Sequence, residues 1–134
     1  MRKNVANPRF GLETVRLISK NLYSAFINGK DIDARSSMSM AALLAGITIS
    51  VAGICAGHAA AYAFAVKYAL SHGLSCAISL PYIMKYNAAA CLPKIVKISN
   101  VMGEKISSLT LEEVAEKASS SIVNVMKRMG LPHS

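Results

Sequence analysis

The sequence predicts an all-α fold, a helical bundle formed by a single domain over residues 1–134. Three observations support this prediction. Hydrophobic residues make up 53% of the chain but aromatic residues only 6%, with no Trp and many Ala, Ser, Met and Leu residues, a composition typical of helices. Helix-start and helix-stop signals recur along the chain at helical spacing. No segment of the sequence alternates apolar and polar residues as a half-buried strand would.

The first helix is predicted to begin at Asn7-Pro8. Asn is a favoured N-cap, and proline is tolerated at the first helical position because its missing N–H would be unpaired there anyway. Val15, Ile18 and Leu22 then form an apolar stripe of helical period. Asn28-Gly29 is a typical helix end.

Asp31 is the predicted cap of a second helix, which runs through Arg35 into the uncharged stretch 36–66. Its faces are mostly apolar, which predicts a helix buried among neighbours. A membrane-spanning helix is the alternative that length alone permits, although the stretch carries several hydroxyl residues and lacks an aromatic belt at both ends. Gly53 and Gly57 allow either a break or a close helix–helix approach.

A third helix is predicted from His58 to about Tyr68. The segment 70–73, Leu-Ser-His-Gly, predicts a turn, with the next helix beginning at or just after His72. Proline inside a helix removes a hydrogen bond and clashes with the preceding turn, so Pro81 should kink or end that helix.

The last third of the chain carries two more helix signals. Pro93 should begin a short basic helix that Gly103 closes. Residues 110–113, Thr-Leu-Glu-Glu, have the spacing of a capping box at the start of the final helix. Apolar residues then keep helical period up to Gly130, at Val114, Ala118, Ile122, Val125 and Met129.

Charge and cysteine usage exclude several functional classes. The net charge is +8, but the basic residues are scattered and have no interleaved aromatic platform, which argues against a nucleic-acid partner. Three cysteines without a CxxC spacing indicate neither a disulfide framework nor a thiolate metal cluster. A polar segment follows Met1-Arg2-Lys3 where a secretory signal would be apolar. These features predict a cytoplasmic protein with no membrane association.

His58 and His72 are the candidate metal ligands. They lie in an apolar region, and the sequence has no Asp or Glu between Asp33 and Glu104. Tyr62 follows His58 by four residues and shares its helix face, while a helical hairpin could return His72 to the same place. Two imidazoles suit a divalent metal, but such a site usually needs a third or fourth protein ligand. Both readings stay open: buried core histidines, or half of a metal site.

Residues 41–87 resemble the helical domain of iron-containing (group III) alcohol dehydrogenases, and residues 7–41 resemble the helices just before it. The most specific part of this resemblance is the tripeptide Ser-His-Gly at residues 71–73, followed by an apolar stretch that ends in LPYIMKYN at residues 80–87. In that family one Asp and three His hold a divalent metal, usually iron and sometimes zinc. The resemblance assigns the last two histidines to His58 and His72. Tyr62 stands where the family commonly has a further active-site histidine, so it is expected to line the site.

The resemblance also implies what the 134 residues do not contain. The Asp and the first His would precede Met1, the dinucleotide-binding domain would lie further upstream, and the helical domain would continue past Ser134. We therefore expect an incomplete helical domain: the metal-binding portion of an NAD(P)-dependent alcohol dehydrogenase, inactive as an isolated chain. No catalytic or cofactor-binding residue is assigned.

Two other functions, of a class different from an enzyme, are also compatible with the sequence. The first is a non-catalytic helical remnant, or a split-enzyme subunit, that acts through protein–protein assembly. The second is a small helical membrane protein, based on the uncharged stretch 36–66. The expected partner is either another copy of the chain or a missing nucleotide-binding protein, because uncovered apolar helix faces favour association.

Overall fold

The fold was analysed in a computed structural model that describes residues 8–54 and 56–132. This part of the chain forms helices and no strands, which confirms the predicted all-α class. The helices are α1 (Pro8–Ile27), α2 (Ile32–Ala52), α3 (Ala56–Tyr68), α4 (His72–Val101) and α5 (Leu111–Arg128).

The ends of the first two helices follow their local signals. α1 begins at Pro8 as predicted, while its predicted cap Asn7 lies outside the described residues. The Asp31 carboxylate accepts a hydrogen bond of 2.9 Å from the backbone N–H of Ala34, so the predicted cap of α2 is confirmed. α2 stops at Gly53, whose φ of 77° lies in the left-handed region that glycine adopts without strain.

α4 does not end at Pro81. It keeps helical backbone angles there, and its non-helical residue is Cys91, with φ −125° and ψ 17°. Cys91 comes shortly before Pro93, whose ring disfavours a regular helix in the preceding turn. The predicted helix from Pro93 to Gly103 is therefore the last part of α4, beyond this kink. Pro81 itself is buried, and its carbonyl accepts a 3.1 Å hydrogen bond from the Ser119 hydroxyl on α5.

The contacts divide the described residues into two compact units. The first contains the described part of Met1–Gly53 together with Asn100–Glu104, and the second contains Ile54–Ser99 and the described part of Lys105–Ser134. In the first unit α1 packs against α2. In the second unit α4 and α5 share an apolar core formed by Ile95, Val114, Ala115 and Ala118.

The expectation that α2 is a buried central helix is wrong. Only Ala34 and Ala41 of this helix are buried, because α1 covers one of its faces. Larger apolar side chains elsewhere on α2 are exposed. By length and composition α2 could cross a membrane. The core helix of a soluble protein and a signal sequence meet the same criteria of length and composition.

α5 is positioned by its predicted capping box. The Thr110 N–H donates to the Glu113 carboxylate at 2.7 Å, and the Thr110 hydroxyl accepts from the Glu113 N–H at 3.4 Å. Lys85 on α4 pairs with Glu116 on α5 at 2.7 Å. Together with the apolar core, these contacts hold α5 against the helix that carries half of the candidate site.

Candidate metal centre

α3 and α4 form a helical hairpin within the second unit. The turn between them contains Ala69, whose positive φ of 51° is unusual for a residue with a side chain. Small side chains are buried on both helices: Ala61 on α3, and Ser75 and Ser79 on α4. The Ser79 hydroxyl lies 3.4 Å from the Gly57 carbonyl, which links α4 to the start of α3. Small residues at such positions allow two helices to approach closely.

The hairpin brings the three sequence-predicted site residues together. The ring centroids of His58 and His72 lie 5.6 Å apart, and those of Tyr62 and His72 lie 5.5 Å apart. His58 and Tyr62 project from the same face of α3 because they are four residues apart. His72 is the first residue of α4 and returns to that face across the turn.

Cys76 also belongs to this cluster, and the sequence analysis missed it. Its Sγ lies 3.5 Å from Nε2 and 4.0 Å from Nδ1 of His72. The donor atoms of His58, His72 and Cys76 all lie within 4.8 Å of one another. The available signal was the four-residue spacing between His72 and Cys76, which places both on one face of a helix. Cys76 and Cys91 are both free thiols, and Cys55 lies outside the described residues.

The alternative reading of His58 and His72 as buried core histidines is wrong. His58 is half-buried and His72 is exposed, while the Tyr62 side chain is 54% exposed. A separate cavity beside α5, near Tyr82 and Lys127, is lined by none of the cluster's side chains. The cluster is therefore open to solvent, so an ion or small molecule could reach it directly.

The donor set fits a divalent transition metal. Imidazole nitrogen and thiolate sulfur are the ligand types that bind zinc, and imidazole also suits iron. The sequence supplies no carboxylate between Asp33 and Glu104, so the two helices of the hairpin carry no acidic ligand. The cluster can thus provide three protein ligands and leave further coordination positions open, an arrangement found in catalytic metal sites.

Comparison with known proteins shows which family the chain resembles. The sequence profile for the C-terminal part of the Fe-containing alcohol dehydrogenase family matches residues 4–134 of this chain. The 1,3-propanediol dehydrogenase of Klebsiella pneumoniae is 35% identical over 121 residues, which are 90% of this chain and 31% of that protein. The NAD-dependent methanol dehydrogenase of Bacillus methanolicus is 28% identical over 123 residues, covering 92% of this chain and 32% of that protein.

Solved structures give the same result. The alcohol dehydrogenase from Oenococcus oeni superposes with a TM-score of 0.91 at 30% identity, over 98% of this chain and 34% of that one. A 1,3-propanediol oxidoreductase superposes with a TM-score of 0.89 at 32% identity, over 97% of this chain and 35% of that one. The chain spans about a third of the length of the curated relatives it matches. The chain belongs to the iron-containing alcohol dehydrogenase family and corresponds to part of its C-terminal helical domain.

Proposed function

We propose that this chain is the helical, metal-binding portion of an NAD(P)-dependent alcohol dehydrogenase. In this proposal His58 and His72 each donate a ring nitrogen to one divalent ion, iron or zinc, and Tyr62 lines the site. The observation that carries the proposal is the 5.6 Å separation of the two imidazole rings, which come from different helices. The family membership gives that pair its chemical context.

The roles of the chain's own residues follow from their positions. A bound divalent ion supplies Lewis-acid polarisation of an alcohol or carbonyl oxygen. His58 and His72 would hold the ion in the solvent-accessible cluster between α3 and α4. The Tyr62 ring, 5.5 Å from that of His72, would limit the space beside the ion and help to fix the orientation of the imidazole. Hydride transfer belongs to the nicotinamide cofactor, which a separate dinucleotide-binding domain would supply.

The proposed partner is therefore a nucleotide-binding protein or domain, with a second copy of this chain as a further partner. The alcohol dehydrogenase assignment also favours a cytoplasmic protein with no nucleic-acid or membrane partner. The substrate class is an alcohol or the corresponding carbonyl compound, as in the relatives named for propanediol and methanol.

Calorimetric titration of the purified chain with Zn²⁺ and, without oxygen, with Fe²⁺ tests the metal role. We expect one ion per chain, and at least about a tenfold loss of affinity in His58→Ala and in His72→Ala, because each removes a direct ligand. Tyr86→Ala is the matched control, since it removes an 85% exposed ring from α4 outside the cluster. Unchanged affinity in both histidine variants would refute the proposal.

The proposal also makes a prediction about turnover. The 134-residue polypeptide mixed with NAD(P)⁺, Fe²⁺ or Zn²⁺ and short alcohols should not form NAD(P)H, because it has no Gly-rich dinucleotide loop after a strand. Addition of a nucleotide-binding partner should be required for activity. NAD(P)H formation that depends on the metal and on His58 in the polypeptide alone would contradict this prediction.

A further inference from the structure

We propose that Cys76 is a third metal ligand, so that this chain carries a His₂Cys site selective for a thiophilic ion such as Zn²⁺ over Fe²⁺. The proposal rests on the metal role of His58 and His72 proposed above and extends it to a residue that neither the sequence motif nor the comparisons assign. It changes the expected chemistry of the site, because a thiolate adds both negative charge and soft-donor character.

The positions of the donor atoms support this assignment. Zn–N bonds of about 2.0–2.1 Å and a Zn–S bond of about 2.3 Å in a tetrahedral site place the ligand atoms about 3.3–3.6 Å apart. The Cys76 Sγ already lies 3.5 Å from Nε2 of His72. The whole set of three donors lies within 4.8 Å. His58 is half-buried and His72 is exposed, so neither imidazole is locked by core packing against rotation toward a shared ion.

The absence of carboxylates from the hairpin also supports Cys76 as a ligand. No Asp or Glu occurs between Asp33 and Glu104, so the thiolate would be the anionic ligand that the hairpin itself can offer to a dication. On binding, the Cys76 thiol would lose its proton to solvent as the metal–sulfur bond forms, and no oxidant or reductant is needed. Metal loading should therefore release a proton that a serine at this position would retain.

The metal preference follows from the donor types. Soft thiolate ligands favour zinc, and divalent zinc also stands above ferrous iron in the general order of affinities for such ligands. Replacing the sulfur by oxygen should remove most of this discrimination while the two imidazoles remain. The expected signature of Cys76 is thus a change in which ion is bound, in addition to a change in how tightly it is bound.

Cobalt substitution tests the proposal directly. The purified chain titrated with Co²⁺ should develop a thiolate-to-cobalt charge-transfer band in the near ultraviolet, which Zn²⁺ displaces. Cys76→Ser should abolish the band and lower the zinc-over-iron preference, measured by anaerobic competition, by at least about tenfold. Cys91→Ser is the matched control, because it removes the other described free thiol from the same helix and should leave the band unchanged.

A second measurement covers the case in which Cys76→Ser does not fold. In the unmodified chain, Zn²⁺ should protect Cys76 but not Cys91 from alkylation, as read by peptide mass spectrometry. A charge-transfer band that survives in Cys76→Ser, or alkylation of Cys76 that Zn²⁺ does not slow, would overturn the proposal. If no band forms while His58→Ala and His72→Ala still lose metal, the histidine site stands and Cys76 is no ligand. If no variant alters binding, both proposals fail.

Discussion

His72 is the residue on which the cluster converges. Its ring contacts those of His58 and Tyr62 on α3, and one of its nitrogens lies 3.5 Å from the Cys76 sulfur one helical turn away. His58 and Tyr62, like His72 and Cys76, are pairs of side chains four residues apart, each pair on one face of its helix. Substitutions at these positions can therefore change the donor set without changing the backbone that presents it.

Tyr62→His should tighten zinc binding by about tenfold or more. The substitution places a second imidazole four residues after His58, the same-face helix spacing that paired zinc-binding histidines use. Tyr62→Phe is the matched control: it keeps the ring beside His72 and should leave the affinity within about twofold. Calorimetric titration of the three proteins measures the effect. Equal affinities in all three would mean that the side chain at position 62 does not reach the ion.

The sequence predicted part of this cluster and missed part of it. The proximity of His58, Tyr62 and His72 could be predicted because helical spacing and the turn signal just before α4 are local features of the sequence. The exposure of the histidines could not be predicted, because it depends on which faces of the hairpin other helices cover. Cys76 was missed because a cysteine in apolar sequence is usually a small buried side chain.

At the scale of the helix, the local cap signals determined most of the boundaries. The exception was Pro81, where proline was expected to kink or end the helix. The buried Pro81 instead lies inside α4 and its carbonyl pairs with Ser119 on α5. That contact joins residues far apart in sequence, and no local rule contains it. The helix break appears near Pro93, where the backbone of Cys91 leaves helical angles.

Thr110→Ala should lower the free energy of unfolding by about 1 kcal/mol, the usual cost of losing an N-cap side chain. The Thr110 hydroxyl accepts the Glu113 N–H, which has no partner within the helix. Chemical denaturation followed by circular dichroism measures the loss. Ser108→Ala, an exposed serine just before the cap, is the control and should change the stability by less than about 0.5 kcal/mol.

The same capping box makes stability depend on pH. The pKa of Glu113 lies below its ordinary value of 4.5. The main cause is the hydrogen bond that its carboxylate accepts from the Thr110 N–H, and the second cause is a hydrogen bond with the Thr110 side chain. The folded state thus favours the ionised form of Glu113, and this preference stabilises the fold. The stabilisation is complete above the pKa that Glu113 has in the unfolded chain, and it is lost as the pH falls through the lower pKa of the folded state.

Glu113→Gln should consequently differ most from the unmodified chain at neutral pH, and the difference should shrink as the pH falls below 4.5. Urea denaturation in steps through this acid range measures the two curves. Glu112→Gln, which removes a neighbouring charge outside the box, is the control. A difference that stays constant with pH would mean that the Glu113 charge adds nothing beyond the hydrogen bond that glutamine can also make.

At the scale of the whole molecule, the largest departure from the sequence prediction is the exposure of α2. An apolar helix predicts burial, but the sequence does not say what covers it. Four apolar side chains of α2, which are 41–58% exposed, share one face at helical spacing: Met40, Leu43, Ile47 and Val51. Ala34 and Ala41, which are buried, lie on another face. A contiguous exposed apolar face of this kind is a candidate surface for association with a partner.

We expect the purified chain to self-associate through this face of α2. Removing apolar surface from water contributes about 25 cal/mol per Å², so covering about 400 Å² would contribute about 10 kcal/mol before the cost of association. Leu43→Glu and Ile47→Glu would each place a charge in that contact and should shift the protein toward monomer in sedimentation velocity at micromolar concentration.

Ala42→Glu adds the same charge to an exposed position on a different face of α2, so it should leave the distribution unchanged. A chain that is monomeric before any substitution would contradict the prediction, and a protein that sediments only with detergent micelles would favour a membrane as the partner of α2 instead.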